Sequence, residues 1–253
     1  MISVREAQRT SLADQALTIL RDEILSHRFP PGSRLTVRPL CEATGLSPTP
    51  IKAALTALTR EGLVTLEPYR GYFVSLIDAS DLVEIYELRQ VLDGIAARRA
   101  AGGMDRDRLV AELRDLLAQQ RACATDPDHG RYADLDIAFH RAIVEYSRSS
   151  RLITISHDLL AQLRLGRALS TSVSGQIERS LTEHAAIVDA LDRGDGVAAE
   201  DLARRHVERA SNALRAFLSL PVGAGSADLW SANESSGESP PLCEQSVRAH
   251  RSG

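Results

Sequence analysis

Cysteine is scarce in this chain: three residues in 253, at positions 41, 123 and 243. They are odd in number and scattered, which excludes a disulfide framework and a cysteine metal site. Any transition ion must then be held by histidine and carboxylate. Long apolar runs are missing as well. No stretch approaches the roughly 20 residues that span a bilayer, and the N-terminus lacks the basic-then-apolar pattern of a secretion leader. A cytoplasmic location is the expectation. Lysine is nearly absent, Lys52 being the single one among 30 basic residues. That arginine bias reads as genome composition and carries no functional weight.

What is present suits a soluble globular chain. Hydrophobic residues make up 43% of the sequence, enough to build a core, and 253 residues leave room for two domains. The net charge of −4 is unevenly spread. Residues 1–76 hold nine basic against seven acidic side chains, a balance of +2, and the remainder holds 21 against 27, a balance of −6. The division points toward an N-terminal nucleic-acid module joined to an acidic effector domain.

The first 76 residues alternate helical patterns with turn signals. Leu12, Ala16, Leu17, Leu20, Ile24 and Leu25 form one apolar stripe of a helix that ends before Phe29-Pro30-Pro31-Gly32. Thr36 can cap a short second helix closing at Thr44-Gly45, and Ser47 with Pro48 can start a third that runs toward Gly62. Two helices around Gly45-Leu46 read as helix-turn-helix. Two β-rich runs, Leu63–Leu66 and Tyr72–Ser75, flank a Pro/Gly turn and add a hairpin. That order of elements is a winged helix, whose second motif helix enters the DNA major groove while the wing touches backbone or minor groove.

The runs Pro31-Gly32-Ser33-Arg34-Leu35, Gly45 through Leu55, Leu58 through Val64, and Gly71-Tyr72-Phe73-Val74 resemble the DNA-binding domain of the GntR family of bacterial regulators. The resemblance covers nearly all of residues 12–76. It implies operator contacts from Arg38, Ser47, Thr49, Lys52, Arg70 and Gly71. Two positions depart from the family pattern, Pro48 and Lys52 standing where arginine is usual. Proline removes a guanidinium able to grip guanine, and lysine keeps the charge without the planar fork, so either a different operator or a lower affinity is implied.

After a short linker the chain is helical almost to Leu220. A run through Leu82, Ile85, Leu88, Arg89, Leu92, Ile95 and Ala96, capped by Asp78 or Ser80, breaks at Gly102-Gly103. Further helices are expected around Leu109–Leu117, over 131–148, and near 150–171, 176–193 and 196–219, making an antiparallel bundle of six. The fold class is therefore mainly α, a winged helix-turn-helix followed by an antiparallel helical bundle. Its expected divisions are 1–76, 77–220 for effector binding and dimerisation, and 221–253 as a tail too polar and aperiodic to order itself.

Within the bundle, Asp136 and His140 stand four apart and face one way. His184 precedes Ile187, Val188 and Leu191, and His206 lies in the apolar row Ala199, Leu202, Ala203, Ala210, Ala213, Leu214. Three helices thus aim polar side chains at one interior. Buried imidazoles and a carboxylate are costly unless paired, and three His with one Asp suit a divalent transition metal, zinc foremost, with nickel and manganese as alternatives. A metal-free hydrogen-bonded network of the same four residues is the competing structural reading.

This half resembles the FadR subfamily's C-terminal domain in its metal-binding FCD version, on Arg89 with Asp93, Asp136 with Phe139-His140, Glu183-His184 with Ile187, and Asp195 to His206. The resemblance implies that Asp136, His140, His184 and His206 hold the cation, that a small organic acid binds beside it, and that Arg89 pairs with its carboxylate. Asp93 where glutamate is usual and Ser149 where asparagine is usual imply a changed pocket. The expectation is a homodimeric, ligand-responsive repressor binding double-stranded operator DNA, with no enzymatic activity. Two rivals are a metal-dependent hydrolase or lyase built on the Asp/His cluster, and a DNA-binding protein whose helical domain is purely structural.

Overall fold

The computed structural model describes residues 11–126, 129–166 and 176–218, with side chains at all of these but 176, 217 and 218. They divide into two compact units, one up to Leu76 and the other from Ile77 onward. The expected tail, 221–253, lies outside the described residues.

The first unit has helices α1 (Leu12–Leu25), α2 (Val37–Thr44) and α3 (Pro48–Arg60) and strands β1 (Arg34–Leu35), β2 (Val64–Glu67) and β3 (Gly71–Val74). Ser11 and Asp14 close a capping box on α1. Ser47 and Thr36 occupy the capping positions of α3 and α2, but neither side chain makes a cap hydrogen bond. Pro48 opens α3, where its missing amide costs nothing. Gly45 ends α2 in the left-handed conformation, φ 70°, which sets the sharp turn between the two helices. Ala16, Leu20 and Ile24 of α1 meet Ile51, Leu55 and Leu58 of α3, all almost wholly buried.

The sheet has three strands in the order β1-β3-β2, one more than the hairpin expected from sequence. The two residues of β1, Arg34 and Leu35, pair with Phe73 and Tyr72. Two residues are too short to show a period of two, so nothing in the local pattern announces that strand.

The second unit contains α4 (Ala79–Ala101), α5 (Arg106–Cys123), α6 (Gly130–Tyr146), α7 (Ser150–Leu165), α8 (Gln176–Asp192) and α9 (Gly196–Leu218). The helix expected to reach 171 ends at Leu165 among the described residues. Asp78, rather than Ser80, caps α4, in a box with Asp81. The core joins Ala96, Ala97, Ala100 and Ala101 of α4 to Leu109 and Leu113, Phe139 and Ile143, Ile187 and Leu191, and Ala199 and Ala203. Small residues on α4 and α9 let those two backbones approach closely. A Cβ at Gly94 would lie 2.5 Å from Arg204 Cγ.

The apolar run expected on α4 is split by the structure. Leu82, Ile85 and Ala96 are buried, whereas Leu88 and Ile95 face outward together with Val91. A run that is apolar on two sides of a helix yields no single period, which is why the sequence alone could not divide it.

Gly45→Ala should lower stability by about 1–2 kcal/mol, because an alanine held at positive φ brings Cβ against the following carbonyl. Chemical denaturation of the purified chain reads this directly, and an unchanged midpoint would refute the assigned role of that turn.

Candidate functional site

Three helices of the second unit bring three imidazoles to one point. His140 on α6, His184 on α8 and His206 on α9 are all buried, and one ring nitrogen from each lies within 4.8 Å of the others. His184 Nε2 and His206 Nε2 are 3.3 Å apart. Asp136, one turn before His140, places Oδ1 3.6 Å from His184 Nε2 and Oδ2 4.0 Å from His140 Nε2. Phe139 stacks on His184 at a centroid distance of 4.1 Å and backs its ring against the core.

The far side of each ring has a partner of its own. His140 Nδ1 donates to Asp93 Oδ2 at 3.1 Å, His184 Nδ1 to Gln120 Oε1 at 3.0 Å, and His206 Nδ1 to Glu183 Oε2 at 2.8 Å. Those partners are a carboxylate, an amide oxygen and a carboxylate, none of which can donate, so the proton of each ring sits on Nδ1. In the neutral form of each ring, Nε2 is then a lone pair directed inward. Three imidazoles with outer N–H groups bonded to oxygen are the arrangement that orients ligands around a transition ion. Two facing lone pairs at 3.3 Å repel unless a proton or a cation lies between them. The donor set fits a divalent transition metal.

Electrostatics disfavour protonation of two of these rings. Burial pushes His184 well below the ordinary imidazole range, and positive charge on His206 or His140 would push it further. Burial lowers His206 too, against the opposing effect of the hydrogen bond it donates to Glu183. Burial pushes the Asp93 carboxyl up, but Arg89 and His140 together outweigh it and hold the group at about 2. Glu183 likewise stays below the usual glutamate value, as its bonds from His206 and Arg209 offset burial. The site therefore sets the lowered imidazoles of His184 and His206 beside the lowered carboxyls of Asp93 and Glu183.

A cavity of about 90 Å³ opens beside the cluster, lined by Arg89, Asp136, His140, His206 and Arg209 among others. One water needs ~10–15 Å³ on that scale, so the space admits several waters or a small acid, not a bulky ligand. Arg89 is 2% exposed. Its Nη2 donates to Asp93 Oδ2 at 2.9 Å, the same oxygen that holds His140, while its Nε has no hydrogen-bond partner among the described residues. Arg209 Nε donates to Glu183 Oε1 at 2.5 Å, which ties the wall of the cavity to His206.

In the first unit, Arg38 of α2 is well exposed and pairs with Glu42 one turn on, Nε to Oε1 3.0 Å. Ser47, Thr49 and Lys52 lie at the exposed start of α3, on the side continued by Ala53 and Thr56. Arg70 sits in the β2–β3 loop, paired with Glu67 and 5.2 Å above the Phe73 ring, and Gly71 follows at φ 101°. Tyr69, unassigned in the sequence reading, stands wholly exposed at the loop tip with a positive φ of 64°.

Sequence reasoning also missed Gln120 and the bracing role of Glu183. The signal for Gln120 was available: it is a polar residue in register with the buried stripe Leu109, Leu113, Leu117. Glu183 precedes a candidate ligand directly in sequence, but its hydrogen bond goes to the other one, on α9.

Comparison with known proteins adds an independent line. The model of bacterial regulatory proteins of the gntR family matches residues 12–74, and the FCD domain model matches 84–209. The chain is 32% identical to the Nta operon transcriptional regulator of Aminobacter aminovorans, over 56% of this chain and 67% of that protein. It is 26% identical to the HTH-type transcriptional repressor RspR of Escherichia coli, over 79% of this chain and 88% of that one. The solved structure of E. coli McbR/YncC shares the fold, with a TM-score of 0.68 at 21% identity, covering 82% of this chain and 99% of its own.

Gln120→Leu removes the acceptor that fixes the His184 ring while leaving all four inward-facing groups in place. Zinc affinity, measured by competition with a chromogenic chelator, should fall about 10–100-fold. Unaltered affinity would mean that the ring needs no such brace.

Proposed function

We propose, for a chain that belongs to the gntR family of bacterial regulatory proteins and carries an FCD domain, a specific way in which this ligand-responsive, DNA-binding transcription regulator works. Asp136, His140, His184 and His206 hold a divalent transition cation, zinc foremost. A small organic acid in the adjoining cavity would lie beside the bound cation, which would attract its carboxylate, and would give Arg89 Nε the acceptor it lacks. The protein is a cytoplasmic, homodimeric repressor without catalytic activity. No helix among the described residues is long and apolar enough to cross a membrane.

The observation that carries this reading is the orientation of the three rings. With all three outward nitrogens facing acceptors, a metal-free network would need one ring to carry two protons as a buried imidazolium. Arg89 supports the acid. A buried N–H left unbonded costs ~1–3 kcal/mol, and a carboxylate meets a guanidinium in paired hydrogen bonds. Because Asp93 Oδ2 is shared by Arg89 and His140, an acid that draws on Arg89 also shifts the brace of one cation ligand.

DNA contact falls to Arg38, Ser47, Thr49, Lys52, Arg70 and Gly71. The N-terminal end of α3 offers Thr49 and Lys52 to base edges and phosphates, and the β2–β3 loop offers Arg70 and Gly71 to the groove beside it. Two half-sites read by two protomers raise both affinity and specificity. Acid binding favours one arrangement of the bundle helices, and a coupling of ~1–3 kcal/mol suffices for a useful switch.

Metal analysis and DNA binding test the two halves separately. Wild-type protein should hold about one zinc per chain and be stabilised further by citrate or lactate, used as probe acids. His140→Ala with His184→Ala should abolish metal retention, while Arg89→Met should keep the zinc and lose the response to acid. Metal content unmoved by the paired histidine changes would overturn the site. Lys52→Ala should weaken operator binding and reduce its salt slope by about one ion; an unchanged slope would remove Lys52 from the interface.

A further inference from the structure

The cavity beside the cluster is chemically two-ended. Arg89, Asp136, His140 and His206 supply its charged and coordinating groups, and Arg89 is tied to His140 through the shared Asp93 oxygen. Beyond His206 the wall continues along α9 through Val207, Ala210, Ala213 and Leu214, the last two roughly 11 Å farther along the helix axis. Leu163 of α7 and Ile177 of α8 belong to the same wall. Three helices thus line the part that leads away from the rings with hydrocarbon.

The other polar residues of the wall do not make a second place for an anion. Ser180 and Tyr132 are uncharged near neutral pH. Arg209 is a cation, but its Nε donates to Glu183 Oε1 at 2.5 Å and its Nη2 to Ser180 Oγ at 3.1 Å. Its charge is already matched by a carboxylate. Arg89, by contrast, shares its carboxylate with His140 and has an Nε without a hydrogen-bond partner among the described residues. The cavity provides for one carboxylate and for hydrocarbon beside it. Room for that hydrocarbon comes from small side chains: Ala210 and Ala213 are half-buried where they line the cavity, and a leucine at either would add an isopropyl group to the wall.

We infer that the effector is an aliphatic monocarboxylate, its carboxylate beside the cation and Arg89 and its short hydrocarbon chain laid along α9 over Ala210 and Ala213. The inference rests on the acid-binding reading above and deepens it by naming the class of acid. A dicarboxylate of the same length would bury its second charge against hydrocarbon, with the nearby cation already paired, and a buried charge without a partner is costly. The chain also brings in α7, which lines the cavity through Leu163 but gives no ligand to the cation site. The hydrocarbon, and not the carboxylate, is what the acid offers that helix.

Isothermal titration calorimetry of the zinc-loaded full chain tests this with acetate, butanoate and succinate. Butanoate should bind about tenfold tighter than acetate, since each buried CH2 contributes a gain of about fourfold. Succinate ends in a carboxylate where butanoate ends in a methyl group, and should bind about tenfold weaker than butanoate or worse. Ala213→Leu should bring butanoate down to the affinity of acetate, with acetate binding, zinc content and circular dichroism unchanged, and Ala213→Val should fall between. Butanoate no tighter than acetate, or succinate as tight as butanoate, overturns the inference on the wild-type chain alone and leaves the acid site standing. A folded, zinc-retaining Ala213→Leu chain that keeps the whole butanoate advantage puts the hydrocarbon elsewhere and overturns it too. A chain that holds zinc and takes up none of the three acids removes the acid-binding reading and this inference together.

Discussion

Three outward hydrogen bonds decide what the helical unit can do. Asp93, Gln120 and Glu183 fix the protons of His140, His184 and His206 on the far side of each ring and so turn three lone pairs toward one point. Burial makes protonation of His184 and His206 unfavourable, which leaves the space between the rings electron-rich. Helix positions follow from the same constraint. The close approach of α4 and α9 through Gly94, Ala97, Ala100, Ala199 and Ala203 lets side chains from α4, α6, α8 and α9 reach one centre. The apolar core fills the remaining length of the bundle, and Phe139 joins the two regions by stacking on His184.

Arg89 joins the cluster to the cavity. It is fully buried, shares Asp93 with His140, and keeps one guanidinium nitrogen unbonded among the described residues. A buried ion pair of this kind contributes little net stability, because desolvation offsets most of the attraction. Its value lies in placement: it sets a fixed positive charge at the wall of a small, largely apolar cavity. The winged unit is of a different kind, a short core of α1, α3 and the sheet that leaves the start of α3 and the wing free at the surface. In one unit polar groups are buried and aimed inward, in the other they are exposed.

The fold was legible in the sequence wherever one periodicity or one turn signal governed a segment. Gly45, Pro48 and the glycines around the wing placed the winged helix nearly to the residue, and the helices of the second unit followed from apolar stripes and breaks such as Gly102-Gly103. Legibility failed where a residue answers to distant partners. β1 exists only because β3 lies beside it. Leu88 and Ile95 look like core until Val91 is seen to share their stripe and the opposite face is found buried. Of the centre, the inward groups could be proposed from spacing, and Gln120 stands out as a polar residue on a buried stripe, but which rings Gln120 and Glu183 brace could not be read, since those rings lie on other helices. The DNA-facing residues were assigned by resemblance, and their exposure agrees with that without deciding it.

X-ray absorption at the zinc edge of the metal-loaded chain tests the central claim most directly. Convergence of three Nε2 atoms predicts a first shell of three imidazole nitrogens with one or more oxygens at ~2.0–2.2 Å, and the outer-shell scattering that rigid histidine rings produce. A shell of oxygens alone, or with a single imidazole, would mean that the three rings do not act on one ion, and the account of this centre would fail.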